Sequence, residues 1–208
     1  MSDGAKNLSL PLADDVICSL HIGDAVLLSG IMVTGRDAAH RWLVDTFIHP
    51  QAQPPAAEQA IYTALKPVLD HGVIYHCGPV VSGLESDAFR FEAAGPTTSI
   101  REEPYQADVM RHFNLKGVIG KGGMGAATLQ ACRLLPAVYF HAVGGAGALI
   151  AQTVQRVLGV YKLEFGVPEA LWVIEVQNLP AVVTMDAHGA SLHDQVQKRS
   201  EKILQRFL

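Results

Sequence analysis

Cysteine is scarce in this chain and scattered. Cys18, Cys77 and Cys132 are the only three in 208 residues, and no C-x-x-C pair occurs. That spacing argues against a zinc or iron–sulfur site built from this chain alone. The start, Met1 to Lys6, is polar and lacks the apolar core of a signal peptide. With an odd cysteine count, it fits a reducing compartment, so a cytoplasmic protein is expected. Basic clusters are missing too. Sixteen Lys and Arg stand against twenty Asp and Glu, for a net charge of −4, and no basic run exceeds two residues. Neither nucleic acid nor an anionic membrane is an expected partner. Residues 134–155 carry no charged side chain and are long enough to cross a bilayer. They also contain Pro136, His141, Gln152 and the cluster Gly144-Gly145-Ala146-Gly147. A buried strand over 137–143, a glycine turn and a buried helix over 148–158 account for the stretch better, and a soluble protein is expected.

What is present is a well-filled core: 49% of the residues are apolar and 17% charged. A chain of this length buries most of its unfolded surface and reads as one domain over 1–208. Apolar runs of strand length at 25–33, 73–77, 118–119 and 137–143 alternate with helical patterns. Helices are expected over 13–20, after Thr34–His40 with Trp42, Leu43 and Phe47 on one stripe, and over 56–65 (ended by Pro67), 106–113 and 126–135. Thr34 or Asp37 is a candidate cap for the second of these. Further strands are expected at 160–165, 171–176 and 181–185, and an amphipathic C-terminal helix over 191–207 with Leu192, Val196, Ile203 and Phe207 on its apolar face. The alternation predicts an α/β fold with a mostly parallel sheet.

The chemistry concentrates between Gly95 and Gly125. Two loops there, Gly95-Pro96-Thr97-Thr98-Ser99-Ile100-Arg101 and Gly120-Lys121-Gly122-Gly123-Met124-Gly125, each combine small residues with one long cation. Small residues let backbone N–H groups approach an anion. Arg36, in Thr34-Gly35-Arg36-Asp37, stands at a strand end before a helix, a position suited to gripping a carboxylate through two bonds. Gly120-x-Gly122-x-x-Gly125 also matches the dinucleotide fingerprint. That fingerprint expects an acidic residue about twenty positions on, and none occurs over 126–163. Two further groups have ordinary readings. His71, His76 and Cys77 are metal-type residues, more simply a core histidine and a buried thiol. Asp186, His188, Ser191 and Asp194 have hydrolase chemistry without a nucleophile elbow, and fit a turn.

Taken in order, these segments resemble the class I iron–sulfur hydro-lyases, the fumarase and L(+)-tartrate dehydratase family. The similarity is to the β subunit, equivalent to the C-terminal domain of the single-chain enzymes. It rests on Leu27-Leu28-Ser29-Gly30, Thr34-Gly35-Arg36-Asp37-Ala38-Ala39-His40, Gly95-Pro96-Thr97-Thr98-Ser99, Arg101, Lys116-Gly117 and Gly120-Lys121-Gly122. It continues through Ala142-Val143-Gly144-Gly145-Ala146, Glu169-Ala170-Leu171-Trp172, Glu175-Val176 and Pro180-Ala181-Val182-Val183, spanning about residues 8–190. The resemblance implies a swivelling β/β/α domain that works as a hetero-oligomer with an α subunit. It also implies a [4Fe–4S] cluster held by that partner, whose open iron takes the substrate hydroxyl. The substrate class implied is a small 2-hydroxy dicarboxylate, reversibly dehydrated. By position, Arg36, Thr98, Arg101 and Lys121 are the implied substrate-binding residues, and Thr97 with Lys121 the catalytic ones. The family pattern after Thr-Thr-Ser is Gly-Arg-Met followed by an acidic residue; here it is Ile100-Arg101-Glu102-Glu103. A non-catalytic anion-binding or regulatory domain on the same scaffold is the alternative reading.

Overall fold

The computed structural model describes residues 4–207; the polar start at residues 1–3 lies outside the described part. The strands are β1 (Lys6–Ser9), β2 (Ala25–Thr34), β3 (Val73–Tyr75), β4 (Val80–Ser82), β5 (Arg90–Ala93), β6 (Gly117–Gly120), β7 (Val138–His141), β8 (Val154–Tyr161) and β9 (Leu171–Met185). The helices are α1 (Asp14–Cys18), α2 (Asp37–Leu43), α3 (Ala56–Leu69), α4 (Glu103–Phe113), α5 (Ala126–Leu134), α6 (Gly147–Ala151) and α7 (Leu192–Leu204).

The fold is mixed α/β. Seven strands form one sheet in the order β1-β2-β3-β6-β7-β9-β8, and β4 and β5 form a separate hairpin. The pairings from β1 to β7 are parallel, whereas β9 runs antiparallel to β7, β8 and β2. Because β9 pairs with β2 as well as β7, the sheet closes on itself through β2, β3, β6, β7 and β9. Successive side chains of a strand point to opposite faces, and here both faces are buried. Val73, Tyr75, Ile119, Val138 and Phe140 join one core with Trp172 and Ile174. Ile74, Val118 and Tyr139 join a second, with Leu43, Leu65, Val109 and Met110 from the helices. Two-sided burial is why these strands read as unbroken apolar runs rather than alternating ones.

The structure departs from the sequence pattern in six places. The strand expected at 160–165 is only the end of β8, which stops at Tyr161 and is followed by a 3₁₀ turn over Leu163–Phe165. The expected helix over 148–158 shrinks to the single turn α6, and β8 begins at Val154. The two strands expected at 171–176 and 181–185 are one strand, β9, running through Pro180. β8 pairs with β9 only as far as Val176, and β7 joins from Val182. Pro180 therefore sits where only the β2 edge is paired, so its missing N–H leaves no ladder bond unmade. α3 runs past Pro67 to Leu69. The residue preceding α2 is Arg36, with no side-chain cap, so neither Thr34 nor Asp37 acts as one. Lastly, α7 buries none of its residues: Val196, Ile203 and Phe207 of the C-terminal segment are exposed rather than packed inward.

Candidate active site

Parallel strands deliver the sequence-predicted residues to one edge. β2 ends at Thr34 and leads to Arg36; β3 ends at Tyr75 and leads to His76 and Gly78; β6 ends at Gly120 and leads to Lys121. The turn after β7 brings Gly144 against Lys121, where a Cβ on the glycine would lie 3.4 Å from the lysine Cδ. The carboxyl ends of such strands are where open α/β sheets bind ligands.

The 97–99 segment is stitched between two of these strand ends. Thr97 N–H donates to the His76 carbonyl at 2.7 Å, and Lys121 N–H donates to the Thr97 carbonyl at 3.1 Å. Ser99 N–H donates to the Lys121 carbonyl at 3.0 Å, and Thr98 and Lys121 form an isolated bridge. Thr97, Thr98 and Lys121 are thus held together by backbone, leaving their side chains free of structural duty. The Thr97 hydroxyl is buried and has no hydrogen-bond partner, an uncommon state for a buried polar atom. The ion pairs of lysine among the described residues involve Lys6, Lys116 and Lys162, not Lys121.

Two carboxylates orient the two arginines. Arg36 Nη1 pairs with Glu169 Oε1 at 3.1 Å, while Glu169 Oε2 accepts the Ala38 N–H at 3.1 Å. Arg36 Nε is buried without an acceptor. Gly78 gives this guanidinium its room, since a Cβ there would lie 2.6 Å from Nη1. Arg101, half exposed, pairs with Asp37 at the start of α2. It therefore pairs with neither Glu102 nor Glu103.

Behind the edge lies a buried polar network that the sequence reading did not assemble. His40 and His76 meet at one Gln106 amide, with ring Nε2 atoms at 3.0 and 2.8 Å. His40 Nδ1 lies 3.0 Å from the Arg36 carbonyl, so it must be the ring N–H that donates there. Burial holds both imidazoles well on the neutral side, lowering their basicity. Gln106 Oε1 faces both rings while its Nε2 is buried without a partner; a neutral His40 leaves Nε2 as an acceptor, so the amide has to be turned to present its NH₂ to both. His76 Nδ1–H donates to Ser99 Oγ at 2.8 Å, which also accepts Tyr139 O–H at 2.9 Å. Gly120 has to be glycine beside this network, because a Cβ would fall 1.8 Å from Ser99 Oγ. His40 and Ser99 stand in recognised motifs and His76 reads as a core histidine, but their meeting with Gln106 and Tyr139 appears only in three dimensions.

The dinucleotide fingerprint is spent on structure. Glu103 sits at the N-terminus of α5 and accepts Gly125 N–H at 2.8 Å, Ala127 N–H at 3.0 Å and the Thr128 hydroxyl at 2.7 Å. A carboxylate from the chain itself thus takes the place a pyrophosphate would need. Asp186 is buried and accepts N–H groups of Ile22, His188 and Ala190, and Ser191 caps α7. These are turn and cap roles. His76 is a fully buried core histidine, whereas His71 is half-buried beside Asp70.

Arg36, Lys121 and the unpartnered Thr97 hydroxyl are thus carried on segments at the carboxyl ends of parallel strands of an α/β domain. The sequence matches the family described as Fumarase C-terminus over residues 4–196, and the chain belongs to that family. A protein of Geobacillus stearothermophilus assigned by name to fumarate hydratase class I is 45% identical over 201 residues, covering 96% of this chain and 36% of that protein. The chain thus spans about a third of that relative. The L(+)-tartrate dehydratase subunit beta of Escherichia coli K12 is 31% identical over 188 residues, covering 90% of this chain and 86% of the relative. A Methanocaldococcus jannaschii protein assigned by name to the same subunit is 35% identical over 182 residues, 86% and 87% of the two chains.

Proposed function

We propose that this chain is the β subunit of an iron–sulfur hydro-lyase that reversibly removes water from a small 2-hydroxy dicarboxylate such as malate or tartrate. The observation that carries the reading is the Thr97 hydroxyl, buried without a partner beside the backbone of Lys121. Arg36 and Arg101 hold the two substrate carboxylates, aided by the Thr98 hydroxyl. Lys121 neutralises charge that grows on the carboxylate as the adjacent C–H bond breaks. Thr97 Oγ faces that proton. A threonine hydroxyl is a weak base by itself, so a carboxylate of the partner subunit completes the proton transfer.

The thiols of this chain do not fit a cluster. Cys77 lies in the core on one face of the sheet, Cys132 in the core on the other, and Cys18 is exposed. Among the described residues no group of three or more His, Cys, Asp or Glu is arranged to hold a metal ion. The [4Fe–4S] cluster is therefore assigned to an α subunit, and this chain to a swivelling β/β/α domain that closes over it as one unit, in a cytoplasmic hetero-oligomer. Among the described residues no helix is long and apolar enough to cross a membrane.

The test is anaerobic assembly with a cluster-bearing α subunit, followed by assay of malate and tartrate dehydration. Turnover is expected only from the assembled pair. A bound cluster with turnover from this chain alone would overturn the shared-site assignment. One observation favours a second reading: Arg101 is already neutralised by Asp37, as in an anion-binding domain that has lost chemistry. That reading predicts dicarboxylate binding by the complex without turnover.

A further inference from the structure

Two carboxyl groups meet beneath Arg101. Asp37 opens α2, and Glu102 closes the 3₁₀ turn Ser99–Glu102. The two side chains are in hydrogen-bonding contact, and Asp37 also holds the Arg101 guanidinium. Glu102 is only 1% exposed. Asp37 Oδ1 and Glu102 Oε2 are both buried with no donor beside them. Two ionised carboxylates in contact would leave acceptors facing acceptors, and a single proton between them removes the conflict.

No neighbouring group offers a better solution. From α2, Arg36 Nη1 is committed to Glu169 while its Nε reaches neither carboxyl, and His40 is committed to the Arg36 carbonyl and Gln106. From the loop after β3, His76 Nδ1 lies 3.9 Å from Glu102 Oε2, but its proton goes to Ser99. From β7, the Tyr139 hydroxyl also goes to Ser99. On Glu102's own segment, Arg101 faces Asp37 and Glu103 faces α5. Burial first, and then the bond and charge of Asp37, push the Glu102 carboxyl up to about 8. Burial raises Asp37 too, but the bonds from Glu102 and Arg101 outweigh it and hold Asp37 below its ordinary range.

We infer that Glu102 is a positioning residue: its protonated carboxyl donates to Asp37, and this fixes Asp37 to aim Arg101 across the mouth of the site. The inference rests on the reading of Arg101 as a carboxylate-binding cation. It assigns a purpose to the glutamate that stands where the family pattern has methionine. Glu102→Gln keeps a donor for Asp37, while Glu102→Met removes it. In alkaline solution the Glu102 proton leaves, the two carboxylates repel, and Arg101 loses its fixed partner.

The test uses the full chain and two readouts that need no substrate. Infrared spectroscopy should show a protonated carboxyl band at neutral pH that titrates away near the value given above and is missing from Glu102→Gln. Nitrogen-15 spectra of arginine-labelled chain, with Arg101 assigned through Arg101→Lys, should show restrained guanidinium signals at neutral pH that broaden with the same midpoint. Glu102→Gln should keep them sharp at all pH values, and Glu102→Met should broaden them even at neutral pH. Absence of the wild-type band, its survival in Glu102→Gln, or equal behaviour of the Gln and Met variants would overturn the inference. Because the infrared titration is made on wild-type protein, poor folding of a variant leaves it decisive. Failure of the assembled complex to bind malate or tartrate, with both readouts intact, would instead overturn the catalytic reading.

Discussion

At the scale of single residues, the candidate site separates charge from structural duty. Arg101 reaches out from a short turn, and its side chain is 57% exposed. Arg101→Lys keeps the charge but loses the planar fork that grips a carboxylate through two parallel bonds. A charge-assisted bond is worth about 1.5–3 kcal/mol, so kcat/KM of the assembled enzyme should fall roughly 10- to 150-fold. Lys121→Met should do comparable harm, and neither change should move the melting temperature much. Steady-state kinetics beside thermal melts check this, and unchanged turnover in Arg101→Lys would remove it from the site. The buried carboxyl has the opposite signature, visible in stability. The Glu102 pKa is raised from 4.5 to about 8, so the folded state keeps a proton that the unfolded chain has already released. Stability is then greatest below the lower value and falls as pH rises toward the higher one. The buried His40 and His76 work the other way, costing stability only as pH falls below the 6.5 of the free imidazole. Between that value and about 8, Glu102 dominates, with a slope approaching about 1.4 kcal/mol per pH unit. Urea unfolding across this window should show the decline in wild type and a flatter line in Glu102→Gln.

At the scale of elements, what the sequence made legible was whatever local chemistry decides. The glycine loop after β6 and the buried strands β3, β6 and β7 all stand where their residues predicted. Arg36, Thr97, Thr98 and Lys121 were legible as loop residues because motifs mark them locally. The pairings Arg36–Glu169 and Arg101–Asp37 were not, since each joins residues far apart in the chain, and Gln106 lies in no motif. The misreading of residues 148–158 has a similar cause. Ala148 to Ile150 can form a helix, but Val154 and Val157 gain more by pairing with Val176 and Ile174 of β9. Long-range pairing overrode the local apolar run. α5 shows the reverse, a helix whose start depends on one distant side chain. Glu103 serves N–H groups of Gly125, Ala127 and Thr128 as well as the Thr128 hydroxyl. Glu103→Ala should therefore lower stability by about 1–2 kcal/mol, the range for loss of a good helix cap. Chemical denaturation would measure it, and a change near zero would mean that water replaces the carboxylate at little cost.

At the scale of the whole molecule, the site edge is also where apolar surface is left uncovered. Val143 and Leu149 flank the glycine turn after β7 and are 62% and 68% exposed. The Glu169–Trp172 stretch does not share this role: Trp172 is fully buried and Glu169 serves Arg36. The turn adjoins Lys121 through Gly144, so a subunit seated on Val143 and Leu149 would close directly over the cations. That arrangement excludes water from the place where charge develops, which strengthens every electrostatic contact made there. Leu134 is a built-in control. It is equally exposed, at 62%, but it ends α5 on the opposite edge, before β7 begins. Truncating or charging a central interface residue commonly costs more than about 1 kcal/mol of binding, and burying a new carboxylate costs more again. Leu149→Asp should therefore weaken association with the cluster-bearing subunit at least about tenfold, with the melting temperature of the isolated chain unchanged. Leu134→Asp should leave association as it was. Titration of the two subunits by calorimetry separates the outcomes. If both variants bind like wild type, the partner seats elsewhere, and the exposed face of α7 becomes the next surface to mutate.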